Sequence, residues 1–327
     1  MVECTSEECP SESPQTPILC VSDLHGNLTL LRQALTAGLK RAGRHDLTVV
    51  LLGDYVDNGT EVRELLEYLA VEQWRSEFPH ITLHCIAGNH DVALLLAHSP
   101  GEFNNDPHFK RRGLSWWDRS TQRFCIRGGG ETTRQYDART HNEFVERFPT
   151  HHYEFLRSLP WVLELEQYIF VHAGLRRARE ESVESQLLYL YNKDLSDLSR
   201  HVYSRGGYGL PDQLTNKDWA CVNDPEWGHV VVTGHNKYFK KADGPDFLQS
   251  HRIGFHSCSC QILFKPGLPL HCALLPRAPL GTDTMEATPD FFSVFHNTTF
   301  RCDPARNDTS GLDDNDGVLM SVSTLFD

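Results

Sequence analysis

Five short polar stretches, each following an apolar run, carry the residue types that bind metals and move protons. They read Asp23-Leu24-His25-Gly26, Gly53-Asp54-Tyr55-Val56-Asp57-Asn58-Gly59, Gly88-Asn89-His90-Asp91, His172-Ala173-Gly174 and Gly234-His235-Asn236. Carboxylates, imidazoles and an amide are hard or borderline ligands, and thiolates are absent from the set, which suits Zn, Fe or Mn and not an iron–sulfur centre. One ion does not need so many ligands; two ions about 3.5–4 Å apart do. One carboxylate must then bridge them, and glycines beside the ligands let the backbone approach closely. Taken singly, each stretch is an ordinary turn. Their order, each after a strand-like run, makes them a site.

The elements that must position them follow from periodicity. Residues 17–22 and Leu47 to Leu52 read as short buried strands, as does Ile81 to Ala87. Leu28, Leu31, Leu35 and Leu39 recur at helical spacing after the first strand, and Val62, Leu65, Leu66 and Leu69 do so after the second. A helical run from Val92 to Ala97 follows the third. This alternation predicts βαβ units and a mostly parallel sheet, whose strand C-termini are where sites form. Further strands are expected at Tyr168 to Val171, His229 to Thr233, Arg252 to Phe255 and His271 to Leu275, with a helix over Val183 to Tyr191.

The chain has 327 residues and a formal net charge of −13. The charge is concentrated at the ends. Residues 1–16 contribute −4 and residues 278–327 contribute −7, so the body is nearly neutral. That argues against a broad nucleic-acid surface. The reading is an acidic, disordered tail over 1–16, one domain over 17–277, and an acidic, mobile tail over 278–327. The ten cysteines lack metal-type spacing and read as free thiols. No apolar run approaches the roughly 20 residues of a membrane span. A soluble, cytoplasmic protein with no membrane partner is expected.

The order of the five motifs resembles the phosphoprotein phosphatases within the calcineurin-like metallophosphoesterases, over residues 17 to 276. The resemblance implies an α/β, four-layer sandwich of two mixed β-sheets flanked by helices. It implies two divalent metal ions (Mn, Fe or Zn), with Asp23 and His25 on one, Asn89, His172 and His235 on the other, and Asp54 between them. It implies in-line attack on phosphorus by a metal-bound hydroxide. His90 then resembles the general acid that protonates the leaving oxygen, and Asp57 the carboxylate that orients it. An imidazole titrates near working pH, and an acidic neighbour fixes its tautomer.

Three departures from the family pattern narrow the branch. Asn58 stands where the motif usually has a phosphate-clamping arginine, the third motif ends in Asp91 in place of Glu, and the fourth reads His-Ala-Gly. The last two look like bacterial-type members, and the segments around Val183 to Asp194 and Val230 to His235 look like the Rhizobiales-like phosphatases. A replacement cation is sought between Lys110 and Arg134, where seven basic residues face only Asp118 and Glu131. Arg127, Arg134 and Lys193 are the candidates, with Asn58, for holding phosphate. The leading expectation is a dimetal phosphatase acting on phosphotyrosine or phosphoserine/threonine in proteins. The alternative is a pyrophosphohydrolase of dinucleoside polyphosphates or RNA caps, like the diadenosine tetraphosphatases. A third is a phosphoprotein-binding pseudophosphatase.

Overall fold

The computed structural model describes residues 17–43, 46–99, 129–193, 201–202, 210–215, 224–235, 247–249, 251–254, 270–276, 289–294 and 320–321. The strands are β1 (Ile18–Val21), β2 (Leu47–Leu51), β3 (Ile81–Cys85), β4 (Val162–Leu165), β5 (Tyr168–Val171), β6 (His201–Val202), β7 (Leu210–Pro211), β8 (Val230–Thr233), β9 (Phe247–Gln249), β10 (Arg252–Gly254), β11 (Leu270–Leu275), β12 (Asp290–Val294) and β13 (Met320–Ser321). The helices are α1 (Leu28–Ala42), α2 (Val62–Ala70), α3 (Trp74–Glu77), α4 (Asn89–His98), α5 (Gly129–Gln135), α6 (His141–Arg147), α7 (Thr150–Ser158), α8 (Val183–Asn192) and α9 (Asp212–Thr215).

Two mixed sheets result. The first runs β13-β12-β11-β1-β2-β3 and the second β4-β5-β8-β10-β9. Within the first, β1, β2 and β3 are parallel, while β11 runs antiparallel to β1. Within the second, β5, β8 and β10 are parallel.

Strand alternation builds the layers. Ile18 and Cys20 of β1 point into a core shared with Tyr168, Phe170, Val232 and Ile253 of the second sheet. Leu19 and Val21 point the other way, into a core filled by Leu31, Leu35, Leu65 and Leu66 of α1 and α2. On the far side, Ile169, Val171 and Val231 pack with Tyr189 and Leu190 of α8 in that larger cluster. Both faces of each sheet are therefore covered, which is why the strands read as unbroken apolar runs. The chain is a mixed α/β fold of two sheets flanked by helices, as expected.

The sheet does not stop where the sequence reading ends the body. Asp290–Val294, assigned to a mobile tail, pairs with β11 along five residues, and Arg41 at the end of α1 holds it through an ion pair to Asp290 at 2.7 Å. Phe292 lies under the Arg41 guanidinium, 4.8 Å away, and is buried. Residues 1–16, and most of 278–327, lie outside the described residues. Cys20, Cys85 and Cys272 carry free thiols. Among the described residues, no helix is long and apolar enough to cross a membrane.

Candidate metal centre

Each motif begins where a parallel strand ends, so β1, β2 and β3 of one sheet and β5 and β8 of the other deliver their loops to one rim. Asp54 sits at the centre. Its Oδ2 lies 3.5 Å from His25 Nε2 and 3.4 Å from His172 Nε2, while its Oδ1 accepts the His90 backbone N–H at 3.0 Å.

The tautomers follow from the far side of each ring. His25 Nδ1 donates to the Val56 carbonyl at 2.8 Å, and His172 Nδ1 to the Leu52 carbonyl at 2.6 Å. With Nδ1–H spent on backbone, each Nε2 is turned toward a carboxylate oxygen, where it can carry a second proton or give its lone pair to a metal ion. Asn89 Oδ1, 2.9 Å from His172 Nε2, adds another acceptor to the same space. Burial would lower the His172 pKa, but the Asp54 charge outweighs it and pushes it up to about 9. His25, where burial dominates, is lowered. Burial would raise Asp54, yet the imidazoles of His172, His90 and His25 hold it well below the usual carboxylate range.

Two sets of ligand atoms lie within 4.8 Å of one another: His25, Asp54 and His90, and Asp54, His172 and His235. Asp54 belongs to both. The His172 and His235 ring centroids are 5.0 Å apart, and Asp23 Oδ2 accepts from the Ser22 hydroxyl and from the His235 backbone N–H at 3.1 Å. The oxygen and imidazole donors fit two borderline divalent ions, and Asp23, His25, Asp54, Asn89, His172 and His235 are the residues that could hold them.

His90 differs from its neighbours. Its Nδ1 bonds Asp57 Oδ2 at 2.7 Å, and its side chain is 12% exposed against 3% or less for His25, Asp54 and His172. Burial alone would lower its pKa, but the charges of Asp54 and Asp57 and the Asp57 hydrogen bond raise it to about 9. A proton held there can be delivered to a leaving group.

Two supporting roles escaped the sequence reading. Thr132 on α5 donates to Asp57 Oδ1 at 2.6 Å and accepts from the Asp57 backbone N–H at 2.9 Å, fixing the carboxylate that holds His90. Asp91 accepts three backbone N–H bonds, from Asp54 and Gly88 at 2.8 Å and Tyr55 at 2.9 Å, stapling the second loop to the start of α4. Burial, then the Asp54 charge, push its carboxyl up to about 7. Nothing local in the sequence marks Thr132. Asp91 is visible as the last residue of its motif.

Among the described residues, the candidates for holding phosphate have other partners. Asn58 is buried, and its side-chain nitrogen lies 3.2 Å from His25 Nδ1, behind a candidate ligand and not in front of the cluster. Lys193 caps α8, and its ammonium donates to the Arg157 and Leu159 carbonyls at 3.0 and 3.2 Å, so it braces the end of α7. Arg134 is exposed and paired with Glu131 on its own helix. Arg127 and the rest of the basic segment up to residue 128 lie outside the described residues.

The backbone is bent around this cluster. Of ten non-glycine residues at positive φ among those described, six are Asp23, His25, Asp54, Asp57, Asn58 and His235. Such conformations cost of order 1–3 kcal/mol each and gather at functional sites. Gly88 is required by contact: a Cβ there would lie 2.1 Å from Asp54 Oδ1.

The model of the family described as "Calcineurin-like phosphoesterase" matches residues 16–238. No curated protein matches the chain. Among solved structures, a cold-active protein-tyrosine phosphatase from a Shewanella species is 15% identical, with a TM-score of 0.47, covering 79% of this chain and 76% of its own. A protein serine/threonine phosphatase from Saccharomyces cerevisiae is 14% identical, with a TM-score of 0.41 and coverage of 89% and 83%. A structure provisionally assigned as a diadenosine tetraphosphatase is 18% identical, with a TM-score of 0.42 and coverage of 82% and 92%.

Proposed function

Because the chain belongs to the calcineurin-like phosphoesterases, we propose that it hydrolyses phosphomonoesters of protein hydroxyl groups, on tyrosine or on serine and threonine. The observation that carries this reading is the Asp57–His90 pair at 2.7 Å beside the cluster. A serine alkoxide or a tyrosinate is a poor leaving group without a proton. A nucleoside phosphate leaves readily as the anion and needs none. A chain that spends a buried carboxylate, a threonine and a helix on holding a protonated imidazole is equipped for the first kind of bond.

Asp23, His25, Asp54, Asn89, His172 and His235 would hold two divalent ions, which supply an activated water and neutralise charge on the phosphoryl oxygens. The remaining work belongs to the protein's own groups. Asp57 accepts from His90 Nδ1–H and favours the imidazolium form, whose second proton is on Nε2, and Thr132 keeps Asp57 in place. His90 Nε2–H donates to the ester oxygen as the bond to phosphorus lengthens, and regains its proton from water after release.

The test is a panel of initial rates with added Mn²⁺ on a phosphotyrosine peptide, a phosphoserine peptide and diadenosine tetraphosphate. Faster turnover of either peptide supports the proposal. Preference for the dinucleotide would overturn it in favour of a pyrophosphohydrolase, and inactivity on all three with metal bound would indicate a phosphoprotein-binding role.

A further inference from the structure

A second cluster of ligand-type side chains lies on the helix layer, away from Asp54. Glu67 is on α2, and His151 and His152 are consecutive on α7. Both Nε2 atoms converge on one oxygen, Glu67 Oε2, at 2.8 and 2.9 Å. Consecutive side chains on a helix diverge by about 100°. Two adjacent rings aimed at one atom therefore form a convergent set, with centroids 4.4 Å apart and nearly edge-on.

The chemistry around the set is that of a metal site. His152 is buried, and its Nδ1 lies 2.8 Å from the Tyr136 hydroxyl, an outer partner that holds the ring with Nε2 turned toward Glu67. His151 and Glu67 are close to half exposed, so an ion can enter from solvent. Two imidazoles and one carboxylate, all within 4.8 Å, match the three-ligand pattern that zinc completes with water.

We propose that Glu67, His151 and His152 form a separate cation site for one borderline divalent ion such as Zn²⁺, bridging α2 and α7. The bridge acts on elements that support the main centre. α2 follows the loop carrying Asp57. α7 leads into Pro160, whose carbonyl accepts the Ala87 N–H at 2.8 Å just before the Gly88-Asn89-His90 motif. Tyr136 directly follows α5, the helix that holds Thr132.

The competing account is a plain hydrogen-bonded cluster in which each ring donates Nε2–H to Glu67. Metal counting separates the two. The full-length protein and its Glu67→Gln and His151→Ala variants are loaded with Mn²⁺, equilibrated with Zn²⁺, desalted and analysed for total metal per chain. The expected result is one ion fewer in each variant than in the parent, with phosphatase activity retained and the zinc-dependent rise in melting temperature lost. Equal metal counts in parent and variants would overturn the proposal. The readout is a difference, so it holds whatever number the Asp54 centre binds. The conservative Glu67→Gln change keeps the packing should His151→Ala perturb α7.

Discussion

The two sheets contribute to the centre in different ways. The first supplies three loops that brace one another: His25 N–H to the Asp54 carbonyl at 2.7 Å, Gly26 N–H to Tyr55 at 2.8 Å, and the three bonds to Asp91. The second supplies two imidazoles at strand ends, each tied across to the first sheet, His172 to Leu52 and His235 to Asp23. One sheet makes a self-supporting bed and the other docks onto it. The centre is thus a seam, and an ion bound there bonds both sheets at once.

The largest effect should come from the residue that serves both sides. Asp54→Asn should abolish turnover and remove the ions of the Asp54 centre, read by elemental analysis as a loss of metal per chain relative to the parent, since it removes the charge shared by both ligand sets. A variant with as many ions per chain as the parent would break the bridge assignment.

His90 belongs to the first sheet alone and is not needed to hold the seam. His90→Asn should retain metal and lose about 10²- to 10⁴-fold in kcat. The loss should shrink on an activated aryl phosphate, whose leaving group needs no proton. Equal losses on both substrates would remove His90 from the acid role.

Asp57→Asn should act more mildly and through pH. The Asp57 charge and hydrogen bond raise the His90 pKa, so their removal lowers it. The acid form then disappears at lower pH, and the alkaline limb of kcat/KM should move down. An unmoved limb would detach Asp57 from His90.

The smallest effect on chemistry, and a clear one on stability, is expected from Asp91→Ala. Three backbone N–H groups in the bed would lose their acceptor, each costing about 1–3 kcal/mol where no water replaces it. Urea unfolding measures the drop. A change within the range of an exposed substitution would show that the bed does not depend on this staple.

Much of this was legible in the chain. Strand ends announce themselves because a buried apolar run must stop where Asp, His or Asn begins, and five of the six candidate ligands stand within two residues of the end of such a run, with His25 two residues further along than Asp23. What was not legible rests on long-range bonds with no period. Thr132 meets Asp57 across 75 residues, and a threonine in Glu131-Thr132-Thr133 carries no local signal. β12 is a five-residue run within an acidic, polar stretch, so composition outweighed its two phenylalanines until β11 and Arg41 were seen beside it. Asn58 stands at a position that the family pattern gives to substrate, and nothing in the sequence shows that its side-chain nitrogen lies 3.2 Å from His25 Nδ1.

The pairing of β1 sets the order of events in making this protein. β1 is an interior strand, and one of its two neighbours arrives only with Leu270–Leu275, while Asp23 finds His235 across 212 residues. Contacts this distant in the chain close late and slowly. A growing chain synthesised past α4 already holds Asp23, His25, Asp54 and Asn89 but lacks both partner imidazoles. Capture of ions with the full candidate set would therefore wait until His235 has been made and β8 has joined β5.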